Sequence, residues 1–229
     1  MMHPRTGSTE YGVWRRLLVT LAITAAVSLT HAQYLGPIGP GEASFDGVSI
    51  RGRLADWRRE ATPTLLLSAP GNRVLRVFAD IAGDGAFALV LPTVDDDTPL
   101  GSTVCGGPGK PRITVLFDVE LLTPLDGFTT PDENHGGLSM IGMAILADAA
   151  FANDIGAPGT RRVQWFASRE ARSVAVGECN NVNAFDLLAG WTPVTLVSGP
   201  SGGPHTYHPG IEEGLGWYWW AFPEAPAAP

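Results

Sequence analysis

The chain has 229 residues, including 28 glycines and 19 prolines, and its formal net charge is −8 at pH 7. An acidic chain lacks the basic surface that binds phosphate backbones, so the composition argues against a nucleic-acid partner. Turn residues between short apolar runs, without a long helical repeat, predict an all-β protein of antiparallel strands.

The N-terminal segment has the pattern of a secretory signal peptide. Arg15 and Arg16 precede the apolar run Leu17–Leu29, and Thr30-His31-Ala32 offers small residues for a signal peptidase. The run is shorter than the roughly 20 residues that a membrane-spanning helix needs. We expect residues 1–32 to be removed, leaving a mature chain without a transmembrane span in the periplasm, cell envelope or extracellular space. Twin-arginine export stays open beside the general route.

The first part of the mature chain predicts a small β module. Residues 33–44 form a Gly/Pro linker, and residues 45–92 contain strand patterns. Runs at 74–81 and 87–91 flank Gly83-Asp84-Gly85, which predicts a hairpin with a type I′ turn and positive φ at both central residues. The opening strand has alternating inward positions at Val48, Ile50, Gly52 and Leu54.

Residues 48–92 resemble a known family of modules. An opening strand, SIRGRL, followed by the hairpin ADIAGDGAFALVLP is similar to transthyretin-like or carboxypeptidase-regulatory β-sandwich modules. The resemblance implies an accessory or adhesive module without catalysis.

A loop at 93–111 separates this module from a second one at 112–222. The loop carries Asp95-Asp96-Asp97, whose oxygens could bind calcium. Three adjacent carboxylates repel one another and lack the alternating glycine of a calcium loop, so a solvated loop is the favoured interpretation.

The second module consists of further predicted strands. Leu138–Ala147 is apolar on both faces, which predicts a central strand or, as the alternative, the start of an alanine-rich helix through Ala152. Strands at 163–168 and 173–179 are expected to pair as a hairpin around Arg169-Glu170-Ala171. Other strands are expected at 113–121, 185–191, 194–198 and 216–222, and a disordered tail at 223–229.

Residues 163–194 are similar to bacterial lipoproteins and envelope proteins of unassigned function. The shared positions are Gly177, Cys179, Asp186, Leu187, Gly190 and Trp191. This resemblance implies an envelope β-sandwich and adds no information on activity. The predicted fold is therefore an antiparallel β-sandwich, organised as two Ig-like or transthyretin-like modules after a cleaved signal peptide.

Two cysteines, Cys105 and Cys179, lie in the mature chain. An even number of cysteines in an exported protein predicts one disulfide, with two buried thiols as the alternative.

A set of polar residues could hold a metal ion. His205 and His208 are followed by Glu212, and His135 could supply a third nitrogen to copper or zinc. Such a site would permit superoxide-type or hydrolytic chemistry. The favoured interpretation is a set of exposed polar residues in a Gly/Pro loop with no cofactor expected, and copper or zinc is the alternative.

Four consecutive aromatic residues, Trp217, Tyr218, Trp219 and Trp220, end the second module. Alternation on a strand places them on two faces, of which one enters the core. The other face is covered by a loop, or it is a binding surface for an envelope protein or glycan. The sequence thus predicts an exported structural or binding protein, with a metal-dependent surface enzyme and a carbohydrate-binding module as alternatives.

Overall fold

A computed structural model describes residues 37–57, 66–68, 77–98, 114–116, 119–124, 138–201 and 203–221. All of them fall within one compact unit, Tyr34–Pro229. The predicted signal peptide, Cys105, His135 and the predicted tail lie outside the described residues, so the structure does not test them.

The described residues form antiparallel strands and one short helix. The strands are β1 (Ile38–Gly41), β2 (Ala43–Phe45), β3 (Ser49–Arg53), β4 (Leu66–Ser68), β5 (Phe78–Asp80), β6 (Ala86–Val90), β7 (Thr114–Leu116), β8 (Val119–Pro124), β9 (Leu138–Ala147), β10 (Arg161–Ser168), β11 (Arg172–Val174), β12 (Phe185–Leu187), β13 (Gly190–Val197), β14 (Thr206–Pro209) and β15 (Gly216–Ala221). The helix, α1 (Ala149–Asn153), has five residues. No helix in the described ranges is long and apolar enough to cross a membrane.

Most strands belong to a closed ring. β9 pairs with β8 and β15, and β15 pairs with β1, whose chain continues into β2. β2 pairs with β3, and β3 pairs with β6. A bridge from Phe87 to Ile81 links β6 to the end of β5, and β5 returns through β4 to β8. The all-β antiparallel prediction is confirmed, in the form of curled antiparallel sheets.

The apolar side chains inside this ring form the main core. Ile50 and Leu89 lie there together with Leu146, Trp165 and Trp217. The first two belong to the predicted first module and the others to the second. Shared burial of this kind does not confirm two separate sandwich modules.

β10 and β13 extend the sheet as a long antiparallel ribbon. Their pairing runs from Arg161 opposite Val197 to Ser168 opposite Gly190. Beyond this ribbon the same two chain segments pair again as β11 and β12, with the register shifted by one residue. The predicted hairpin of 163–168 with 173–179 is therefore wrong. β10 pairs with the longer apolar strand β13, and β11 folds with β12 over the outer face of the sheet, where Val174, Phe185 and Tyr207 form a second core.

The turn at Gly83-Asp84-Gly85 is present but differs from the predicted type. Gly85 has a φ of +83°, whereas Asp84 keeps a negative φ. The Gly85 N–H donates to Ala82 O over 2.8 Å. This is a type I turn followed by a left-handed glycine, the geometry of a three-residue hairpin loop.

The predicted strand at 113–121 divides between two partners in the described residues. β7 pairs with β10, whereas β8 pairs with β9. Val115 consequently lies in the second core, while Val119 and Leu121 lie in the main core.

Candidate functional site

The aromatic strand β15 is buried on both faces. Trp217 and Trp219 point into the main core, where they are 0% and 4% exposed. Tyr218 and Trp220 point to the opposite face and are 9% and 2% exposed. There they pack with Phe151 of α1 in a third core. Both faces of β15 are therefore covered within the described residues, the second by α1.

The helix that covers this face depends on Asp148. The Phe151 N–H donates to Asp148 Oδ1 over 2.7 Å, which caps the first turn of α1. The other carboxylate oxygen, Oδ2, accepts from the Arg161 backbone N–H at 3.0 Å and from Arg161 Nε at 3.2 Å. Leu138–Ala147 is thus the predicted central strand, and a short alanine-rich helix follows it.

Four polar side chains at the end of the sheet form a network, which we call the Arg161 network: Asp148, Arg161, His208 and Glu212. Arg161 Nη1 donates to Glu212 Oε2 over 3.1 Å, and His208 Nδ1 lies 3.1 Å from Glu212 Oε1. The hydrogen bonds to Glu212 and to Asp148 raise the pKa of Arg161. The network ties the segment after β14 to β10 and to the start of α1.

The two described histidines point in opposite directions. His205 and His208 are three residues apart on an extended segment, so their side chains leave on opposite faces. His205 Nδ1 accepts a hydrogen bond from the Gly199 N–H at 3.0 Å, and its ring meets the Tyr207 ring edge-on at 6.5 Å. The structure therefore unites His208 with Glu212 but not with His205. Among the described residues no group of three or more His, Cys, Asp or Glu side chains could hold a metal ion.

His205 lies between the strand and two loops. Its N–H donates to Asn180 O over 2.7 Å, and its carbonyl accepts from the Val182 N–H over 2.8 Å. Burial lowers the pKa of His205, and the positive charge of Arg162 lowers it further.

Residues 175–184, which we call the tip loop, connect β11 to β12 and close the edge of β14. The Asn183 side chain accepts from the Tyr207 N–H at 2.9 Å and donates to Tyr207 O at 2.6 Å. Pro209, at the end of β14, has no N–H to offer. This edge is thereby protected from strand addition.

The buried ring of Tyr207 links β14 to Cys179. The Tyr207 hydroxyl donates to Cys179 O over 3.2 Å, and burial raises the pKa of Tyr207 to about 12. Cys179 is 2% exposed. Because Cys105 is outside the described residues, the disulfide stays a prediction.

The loop with three aspartates is exposed, and it is held by an arginine that the sequence did not single out. Arg169 donates to the main-chain oxygens of Asp95, Asp96 and Thr98 at 2.8, 3.0 and 2.7 Å. The Arg169 guanidinium thus already donates hydrogen bonds to carbonyl oxygens that a bound calcium ion would need as ligands. No local sequence signal marks Arg169 or Arg161, because their partners are distant along the chain.

No family model matches this chain, and neither a curated protein nor a solved structure matches it. Its relationship to transthyretin-like modules and to envelope proteins therefore stays a prediction from residues 48–92 and 163–194.

Proposed function

We propose that this is an exported β protein with a structural or binding role, in the periplasm, at the cell envelope or in the extracellular space. The proposal is supported by the contacts that its polar side chains make within the fold. Arg161, Arg169 and Glu212 each connect segments far apart in the chain. Side chains committed to such contacts act as cross-links of the fold.

The two alternative functions have less support. A metal-dependent enzyme would need His205 beside His208, but the strand directs them to opposite faces. A carbohydrate-binding surface would need an open face of β15, but all four aromatic side chains there are buried. An envelope protein or glycan remains the proposed partner class, bound through another surface.

Export is tested on the protein made in its native host. Removal of residues 1–32 predicts a mature N-terminus at Gln33, which intact-mass measurement and N-terminal sequencing of the secreted or envelope fraction would show. A full-length chain that stays with the cytoplasmic fraction would contradict the proposal.

The structural role is tested with two adjacent glutamates. The Glu212 side chain accepts a hydrogen bond from Arg161 and contacts His208. The adjacent Glu213 is exposed, and it meets Arg161 through its main-chain carbonyl oxygen. Glu212→Gln should lower the free energy of unfolding by about 1 kcal/mol, since it weakens a charge-assisted hydrogen bond at a half-buried position. Glu213→Gln, the matched control, should stay within about 0.5 kcal/mol of the parent.

Metal analysis of the untagged protein completes this test. The structural role predicts that Glu212→Gln changes stability and leaves the metal content unchanged. Copper or zinc bound at near one equivalent, and lost in Glu212→Gln but retained in Glu213→Gln, would instead establish the metal-dependent alternative.

A further inference from the structure

His205 connects three parts of the chain at the start of β14. Its backbone joins the tip loop through Asn180 and Val182, at 2.7 and 2.8 Å. Its ring joins the turn formed by Gly199, Pro200, Gly203 and Pro204, because the Gly199 N–H donates to Nδ1 over 3.0 Å. The same turn is tied to the tip loop by Asn180 Nδ2, which donates to Gly203 O over 3.3 Å.

The His205 ring can accept the hydrogen bond from Gly199 only when the imidazole is neutral. To accept from Gly199, Nδ1 must present a lone pair, so the neutral imidazole carries its hydrogen on Nε2. Protonation would add a hydrogen to Nδ1, directed at the N–H of Gly199. Two donors would then face each other, and the Gly199 N–H would lose its acceptor.

The groups around the ring do not favour an imidazolium. On β10, Arg162 places a positive charge near His205. On β14, Tyr207 stays neutral because its pKa is raised to about 12. The tip loop contributes Glu178, whose carboxylate pairs with Arg172. The described turn residues Gly199, Pro200, Ser201, Gly203 and Pro204 have no titratable side chain.

We propose that His205 is an acid-sensitive joint, whose protonation releases the Gly199 turn from the start of β14 and with it the backbone contacts between His205 and the tip loop, while the ring of strands stays folded. The device belongs to the fold itself and does not depend on what the protein binds.

The sign of the pH effect follows from linkage. The ordinary pKa of histidine is 6.5, and burial puts that of His205 below it in the closed state. Well above pH 6.5 the imidazole is neutral in both states and the joint is closed. As the pH falls below 6.5, the open state takes up a proton that the closed state does not. The opening constant then rises about tenfold per pH unit until the pH reaches the lowered pKa, and levels off below it.

Amide hydrogen exchange on the intact mature chain tests the proposal. Exchange is followed between about pH 7.5 and pH 4.5 and corrected for the intrinsic pH dependence of the chemistry. The N–H groups of Gly199, Val182 and His205 should lose protection below pH 6.5, while those of β9 and β15 should keep theirs.

Two matched variants separate this joint from general acid effects. His205→Asn keeps an acceptor near the position of Nδ1 but does not titrate, so its protection at Gly199 should no longer depend on pH. His208→Asn removes the exposed histidine and should retain the pH dependence of the parent.

Three results would overturn the proposal: constant protection at Gly199 across the range, an unchanged pH profile in His205→Asn, or loss of protection spread evenly over β9 and β15. If His205→Asn does not fold, an NMR titration of the His205 ring in the parent protein decides. A pKa at or above 6.5 in the folded protein would then overturn it.

Discussion

Gly85 carries a conformational requirement that its neighbour Gly83 does not. Its φ is +83°, and a Cβ there would lie 2.5 Å from Leu54 O. A Cβ at Gly83 would meet no atom within 4 Å, and the φ of Gly83 lies outside the left-handed region. Gly85→Ala should therefore lower the free energy of unfolding by about 1–3 kcal/mol, because it adds both backbone strain and a clash. Gly83→Ala should be neutral or slightly stabilising, since it mainly restricts the unfolded chain.

Chemical denaturation of the two glycine variants checks this difference. Equal effects at both positions would contradict the observed turn. The predicted type I′ turn required positive φ at Asp84 as well as at the next residue. The Asp-Gly pair does mark a turn, but the contact of Asp84 Oδ1 with the Ala86 N–H, at 3.1 Å, accompanies a type I geometry here.

At the scale of elements, β15 shows why a pattern of four aromatics is ambiguous. Alternation correctly separates Trp217 and Trp219 from Tyr218 and Trp220. It does not reveal that α1 folds over the second pair, because a five-residue helix has no detectable hydrophobic repeat. The covering residue Phe151 is fixed by the Asp148 cap, and that cap depends on Arg161 from the next strand.

Alanine substitution along β15 tests burial of both faces. Each of the four aromatic-to-alanine changes should cost about 3–5 kcal/mol of unfolding free energy, because each removes a large ring from a packed core. Leu188→Ala, at a side chain that is 65% exposed, serves as the control and should cost little. Denaturant unfolding gives the values. A cost below about 1 kcal/mol for both Tyr218→Ala and Trp220→Ala would restore the idea of an open face.

For the molecule as a whole, the sequence predicts the strand content better than the strand partners. Alternation and turn residues are local, and they place β3, β9 and β10 correctly. Strand pairing is decided by long-range contacts, and β10 pairs with β13 although β11 is nearer in the sequence. The candidate site shows the same limit. His208 and Glu212 are close in sequence and in space, whereas Arg161, which donates to Glu212, lies 51 residues before it.

The predicted disulfide would bear on the stability of the whole chain. A bond between Cys105 and Cys179 closes a loop of more than 70 residues, which restricts the unfolded chain by about 4–5 kcal/mol in the entropy model. Cys179 is buried next to Tyr207, so a thiol test requires unfolded protein. Alkylation of the exported protein in denaturant without reductant should leave both cysteines unmodified, and non-reducing peptide maps should contain the linked pair. Reduction should then lower the melting temperature markedly. Two alkylated thiols in the unreduced, unfolded protein would show that the fold is held by its cores alone.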